Sequence, residues 1–345
     1  ALFALQGVVQ HIPDVSGEYV FYRDKSFERE SYIGFVYYDE STYGLRYYAP
    51  AAGTKKQPIA AKDIQLYVTV DATLSHLELT GEHIASEVTA EDTDVVNYLH
   101  DLLYEFTARR QKAGDIAATA SLTQDFSQFG GDVTIDYNAL VPLFNIQAIK
   151  ALDGSVVFQV VTTGILSAGS SDAAAPDTSF TDFTGIPEKL QDKAHSFKPK
   201  KKAAKTTFTY TKDIGTEQAV TLDTHWTQYA DNFFFLEKNA ALLTFDALPP
   251  AEQDYTAQLT RSLIRNTRGS YTDWTKLSIT KSGEHTLIRF PVYDKTSNIC
   301  MQSFKLIDSL ADGSVAFLIL TVYDGAYTKN SAYFDALLAS YSVKK

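Results

Sequence analysis

Few side chains in this sequence have both the type and the spacing for chemistry. The segment His76-Leu-Glu-Leu-Thr-Gly-Glu-His83 places two imidazoles and two carboxylates close together. On a strand His76 and Glu78 share one face, and a turn would bring Glu82 or His83 back toward them, a donor set that zinc accepts. The same groups on an edge strand are commonly just solvated, so no metal ligand is expected. His100 falls on the polar side of a helical stretch and His225 stands beside Trp226, both ordinary surface or boundary positions. There is no Gly-x-Ser-x-Gly elbow, no phosphate-binding Gly-rich run, no His-Glu-x-x-His and no calcium-loop spacing. Paired carboxylates could hydrolyse a glycoside, but 42 acidic residues single out no pair. The single cysteine, Cys300, has no basic neighbour in Asn298-Ile-Cys-Met301 to activate it and reads as a small buried hydrophobe. No catalytic residue and no cofactor is expected.

The most suggestive chemistry is aromatic. Tyr32-Ile-Gly-Phe-Val-Tyr-Tyr38 and Tyr43-Gly-Leu-Arg-Tyr-Tyr48 flank the turn Asp39-Glu-Ser-Thr42 and read as a hairpin. Tyrosine offers a large apolar face with a polar end, which suits interfaces. Tyr37, Tyr38, Tyr43, Tyr47 and Tyr48 are therefore the candidate ligand-binding residues, provided that they are exposed together. The competing reading covers both faces of the hairpin within the fold.

The elements that must position these groups are strands and a few helices. Ile64, Leu66, Val68 and Val70 alternate on one face of a strand. Val95, Leu99, Leu102, Leu103 and Phe106 form a helical stripe that starts near Glu91 or Asp92, and a second helix is expected over 254–269. Asn330-Ser331 caps a last helix carrying Tyr333, Phe334, Leu337 and Leu338, with a short strand at 340–343.

Two stretches look duplicated. Ala151-Leu-Asp-Gly-Ser-Val-Val-Phe returns as Ala311-Asp-Gly-Ser-Val-Ala-Phe, each an Asp-Gly hairpin whose two central residues should take φ > 0. The helical stretches beginning at Asp94 and Asp254 match at Leu99/Leu259, Leu103/Leu263 and Thr107/Thr267, so helix-to-hairpin spacing is kept. The expected organisation is a lead-in over 1–16, a module over 17–166, a linker over 167–205 and a second module over 206–345. The expected fold class is α+β: two similar domains related by internal duplication, each an antiparallel sheet covered by helices.

Net charge is −11, which argues against nucleic acid as a partner. No run is long enough to cross a membrane as a helix. The opening Ala1-Leu-Phe-Ala-Leu5 lacks an initiating Met and fits a processed, exported chain. The run Lys198-Pro-Lys-Lys-Lys202 reads as a solvated linker; the sharper reading puts Lys198, Lys200, Lys201 and Lys202 against anionic headgroups, beside a lipid anchor lying outside the chain.

Phe304 to Val343 resembles the closing segment of the Mog1/PsbP-like superfamily, where a β-hairpin is followed by a helix and a terminal short strand. The resemblance implies an antiparallel sheet with helices and an accessory or binding role, and it supplies no catalytic site. The first module departs from it, because residues 165–186 offer no equivalent of the last helix. The leading expectation is a non-enzymatic exported bacterial protein, of envelope or lipoprotein type, binding a protein or other ligand. An intracellular accessory or scaffold protein and a carboxylate-based hydrolase are the alternatives.

Overall fold

The computed structural model describes residues 16–26, 29–73, 76–84, 89–110, 119–165, 197–200, 202–212, 216–250, 270–282, 285–294 and 298–344. The helix expected over 254–269 and most of the expected linker lie outside the described residues. The chain divides into two compact units: the described residues up to 165 belong to one, those from 197 onward to the other.

The first unit is one antiparallel sheet with a helix on it. Its strands are β1 (Glu18–Asp24), β2 (Ser31–Asp39), β3 (Thr42–Ala49), β6 (Lys62–Thr73), β7 (His76–Ile84), β8 (Thr119–Phe126), β9 (Gly131–Asn138), β10 (Ile146–Lys150) and β11 (Val156–Ile165), with a small separate hairpin of β4 (Ala52–Thr54) and β5 (Gln57–Ile59). The sheet order is β7-β6-β3-β2-β1-β11-β10-β9-β8. The first strand thus lies mid-sheet, paired with both its neighbour in sequence and the last strand of the unit.

Helix α1 (Thr93–Arg109) begins where the N–H and hydroxyl of Thr89 donate to the Asp92 carboxylate at 2.7 and 2.9 Å. That carboxylate also pairs with Lys62, and these contacts hold its pKa low, at about 2. The buried stripe runs through Val96, Leu99, Leu102, Leu103 and Phe106, with Val96 rather than Val95 turned inward. Strand alternation sends Val20 and Tyr22, Ile33 and Phe35, Tyr43, Leu45 and Tyr47, and Ile64, Leu66 and Val68 to the helix side. Phe106 sits among the rings of Tyr22, Phe35, Phe126, Phe144 and Phe158, 5.3 to 6.0 Å away. The Tyr22 hydroxyl donates to the Ile146 carbonyl at 3.0 Å. On the other face Phe21 lies over Gly34 and Tyr19 over Gly164.

Among its described residues the second unit has two sheets and one α-helix. Strands β12 (Lys205–Lys212), β13 (Thr216–Asp223) and β22 (Ser342–Lys344) make a three-stranded sheet in the order β12-β13-β22. The larger sheet uses β14 (Trp226–Ala230), β15 (Phe233–Leu236), β16 (Ala241–Leu248), β17 (Ser270–Thr272), β18 (Ser278–Ser282), β19 (His285–Asp294), β20 (Ile299–Ser309) and β21 (Val315–Tyr323). Its order is β14-β15-β16-β21-β20-β19-β17, with β18 also paired to β19. Helix α2 (Asp324–Leu338) starts before Asn330, where the backbone kinks (φ −138°, ψ 31°). Val220 and Leu222 of the small sheet, and Phe334, Leu337 and Leu338 of α2, share one core with Phe234, Leu243, Phe245, Phe304, Leu306 and Leu318 of the large sheet.

The α+β expectation is corrected: among the described residues the fold is largely β, with two α-helices against twenty-two strands. The physical reason is width. Nine strands spaced ~4.8 Å apart span roughly 40 Å, whereas one helix with its side chains is ~10 Å across. The one α-helix described in each unit therefore covers only a band of its sheet.

The duplication is corrected as well. Both units contain a four-stranded meander closed by the Asp-Gly hairpin, β8 to β11 and β18 to β21. The other halves differ: β11 pairs with the first strand of its unit, whereas β21 pairs with β16, a strand from the middle of its unit. The two turns, however, match bond for bond. Gly154 and Gly313 have φ of 84° and 82°, with no positive φ at Asp153 or Asp312, so the turn needs one left-handed residue and not two. In each, the glycine N–H donates three residues back, to Ala151 or Leu310, at 2.9 Å. The N–H and hydroxyl of Ser155 and Ser314 donate to the carboxylates of Asp153 and Asp312.

Candidate functional site

The five candidate tyrosines do not share one face. Tyr43 and Tyr47 point to the α1 side with Leu45 between them, and both are buried. Tyr37 lies on the same side at the sheet end, half-buried, its ring 5.8 Å from that of Tyr43. Tyr38 and Tyr48 are half-buried and pair with other tyrosines: Tyr38 with Tyr67 at 6.0 Å, and Tyr48 with Tyr32 at 6.5 Å. Burial raises the Tyr38 and Tyr32 phenols above their ordinary range, so both stay neutral and hydrogen-bonding. Beside them Arg46, 1% exposed, donates from Nε and Nη2 to both oxygens of Asp63 at 2.9 and 2.6 Å. Tyr43→Ala or Tyr47→Ala should each cost about 3 kcal/mol of stability, as large-to-small core changes do. Tyr48→Ala should cost clearly less in the same denaturant melts.

A second aromatic group escaped the sequence reading. On the hairpin of β14 and β15, Tyr229 is 79% exposed, and its ring lies 6.1 Å from Phe233 and 6.0 Å from Phe235. Those two rings are 5.0 Å apart and half-buried. The available signal was Phe233-Phe-Phe235: on a strand with one core face, three consecutive aromatics must leave at least one pointing away from that core. Phe234 takes the core position and is 1% exposed. Strand β14 ends the sheet order, and Thr227 to Ala230 are all exposed.

Two histidine–aspartate pairs stand elsewhere in the second unit. Asp223 accepts from the N–H of His225 at 3.0 Å and the Tyr333 hydroxyl at 3.1 Å, and lies 2.9 Å from His225 Nδ1. Trp226 Nε1–H donates to the Tyr333 oxygen at 2.9 Å. His285 Nδ1 meets both oxygens of Asp308 at 2.7 and 2.8 Å, and its Nε2 meets the Tyr341 carbonyl at 3.2 Å. A catalytic dyad needs a nucleophile at the far ring nitrogen. His285 has a carbonyl there, and His225 Nε2 is buried with its ring 5.3 Å from Phe197. These pairs pin chain segments together.

The remaining candidates are scattered. Glu82 of β7 meets His100 of α1, Oε2 to Nε2, at 3.4 Å. The side chains of His76, Glu78 and His83 lie outside the described residues. Among the described residues no cluster of three or more His, Cys, Asp or Glu could hold a metal ion. Cys300 is buried, and burial pushes its thiol up to about 11. Lys198, Lys200 and Lys202 are exposed, and Lys201 is outside the described residues. No helix among the described residues is long and apolar enough to cross a membrane.

No curated protein matches the chain. Among solved structures it is similar to cyanobacterial PsbP (CyanoP) from Synechocystis sp. PCC 6803, with 9% identity, TM-score 0.28, and coverage of 41% of this chain and 94% of that one. A PsbP protein, of the kind the sequence resembles, is among these similar structures. A second similarity is to the apo immunity protein TplEi of the T6SS from Pseudomonas aeruginosa, with 9% identity, TM-score 0.24, and coverage of 99% and 81%. A third is to MucB in complex with MucA(peri), with 8% identity, TM-score 0.20, and coverage of 95% and 93%. Residues 17–175 match the family described as Domain of unknown function (DUF7954), and residues 210–342 match another, Domain of unknown function (DUF7955), so the two units answer to two different families.

Proposed function

We propose that this chain is a non-enzymatic binding protein of the bacterial cell envelope, and that its partner is a protein. The carrying observation is the aromatic group of Tyr229, Phe233 and Phe235 at the rim of the large sheet of the second unit. Small-molecule sites are concave and enclose their ligand. A tyrosine 79% exposed is not enclosed and suits the surface of another protein. Tyrosine there offers large contact area at low entropy cost. Half-buried Tyr38 and Tyr48, on the face away from α1, are a second contact region in this reading. Exposed Lys198, Lys200 and Lys202 would favour an anionic membrane surface nearby.

The test is photo-crosslinking in cells, with a crosslinking amino acid at position 229 and, as control, at Leu152, which is 70% exposed on a hairpin turn. A discrete adduct in the envelope fraction from position 229, absent from position 152, is the expected result. Equal or absent labelling at the two positions would overturn the reading. Tyr229→Ser should change stability by less than about 0.5 kcal/mol, as exposed substitutions do, while reducing that adduct when the crosslinker stands at Phe233.

A further inference from the structure

We infer that the outer edge of β14 is a strand-addition site: an extended segment of the partner protein, apolar at alternate positions, pairs main chain to main chain with Trp226 and Gln228 and lays its apolar side chains beside Tyr229. This rests on the reading of the second unit as a protein-binding surface, and names the part of the partner that binds there. Among the described residues β14 ends the order of the large sheet and pairs with β15 alone. Thr227, Gln228, Tyr229 and Ala230 are all exposed, so its outer edge is open to solvent.

The ladder with β15 fixes which main-chain groups are open. The Glu237 N–H donates to the His225 carbonyl at 2.8 Å. In an antiparallel pair such hydrogen-bonded positions alternate with non-bonded ones. The register continues as Trp226/Leu236, Thr227/Phe235 and Gln228/Phe234. Thr227 therefore turns its N–H and C=O to β15, whereas Trp226 and Gln228 turn theirs to the outer edge. A row of unpaired N–H and C=O groups is a template for another extended chain. Main-chain bonds of this kind give affinity for a β-conformation, and neighbouring side chains then select among sequences.

Charge guards other sheet ends: β7 carries Glu82, β8 carries Asp125, and β12 carries Lys205 and Lys212. Strand β14 has no charged residue and no proline. Its register shifts between Gln228 and Ala230, so regular pairing is confined to Trp226–Gln228 and Tyr229 stands at the bulge. Thr227 and Phe235 are cross-strand partners and share one face of the sheet, with Phe233 two residues from Phe235 on that same face. An added strand puts every second side chain on this face, beside Thr227 and the Tyr229 ring, where apolar residues gain by leaving water. A second copy of β14 fits less well, because two-fold pairing would bring the bulge of both copies into one short ladder. A segment of a different protein can set its straight part against Trp226–Gln228.

The test places the photo-crosslinker p-benzoylphenylalanine at position 229 of the full chain in cells and adds Gln228→Pro. Proline removes the outward N–H at 228 and spares the bonds of Thr227 to β15, a placement that edge strands tolerate. Gln228→Ala keeps the N–H and is the control. The adduct should fall about 10-fold or more with proline and stay within about two-fold with alanine. An adduct of full strength in the proline variant would overturn strand addition and leave a protein partner at Tyr229 standing. No adduct even with Gln228 in place would overturn both. An adduct of twice the mass of this chain would put a second copy on the edge and overturn the partner segment. If the proline variant does not fold, amide exchange in the otherwise unaltered chain decides, with a synthetic copy of the crosslinked segment, identified by mass spectrometry, as the probe. The Gln228 amide should then exchange about 10-fold more slowly, and an unchanged rate would overturn the inference.

Discussion

Phe106→Ala should lower the stability of the first unit by about 4 kcal/mol, the upper part of the range for emptying a buried aromatic position. Phe106 is 0% exposed and touches five other rings drawn from β1, β2, β11, the end of β8 and the loop before β10. Those rings belong to strands held in a hydrogen-bonded sheet and cannot close over the gap, so the cavity cost adds to the lost transfer energy. The neighbouring edge-on contacts, such as that with Tyr22 at 72° between planes, are lost too. Denaturant titration would measure this, with Phe106→Leu expected to cost about half as much because it keeps most of the volume. A cost below about 1 kcal/mol would mean that α1 is not the lid of this core.

Gly34→Ala should destabilise the same unit by about 3 kcal/mol, although it adds one methyl group. A β-carbon at Gly34 would lie 2.3, 2.6 and 2.8 Å from three ring carbons of Phe21. Phe21 is 1% exposed, and its ring meets that of Tyr19 edge-on at 5.6 Å. The backbone at Gly34 has no positive φ, so the effect is steric and not conformational. Phe21→Leu in the same chain should recover part of the loss, and a double-mutant cycle would show coupling of about 1 kcal/mol or more. Additive costs would show that the ring and the glycine do not meet.

The local elements were legible because their signals are local. Ile64, Leu66, Val68 and Val70 alternate in sequence and are all buried. The α1 stripe was readable to within one residue, Val96 in place of Val95. Asn330 marked a break in the last helix, but the helix begins one and a half turns earlier, because Asp324 to Lys329 carry no apolar period of their own. What the sequence did not disclose is sheet order. Tyr22 bonds to Ile146 across more than a hundred residues, and no spacing announces such a pairing. The tyrosine hairpin shows the same limit at site level. Parity places Tyr43 and Tyr47 together and Tyr48 opposite, but which face receives α1 is decided by the whole unit. The repeated Asp-Gly turns were real as turns and misleading as evidence for one repeated topology, since a turn constrains only the two strands it joins.

The position of β1 has a consequence for how the first unit comes into being. Among the described strands of the unit this one leaves the ribosome first, and its partner β11 leaves last. During synthesis β1 can zip to β2 at once, since their connection is short, but its other edge stays open until residue 165 has emerged. Closing so long a loop is slow compared with forming a hairpin. The nascent chain therefore carries an unpaired apolar edge, Val20 and Tyr22 on one side and Tyr19 and Phe21 on the other, through most of its translation. Such an edge invites pairing with other chains. The Asp153-Gly154 turn joins β10 and β11 by local bonds alone, so this hairpin can form before β11 meets β1, and closure then needs only the docking of two paired pieces.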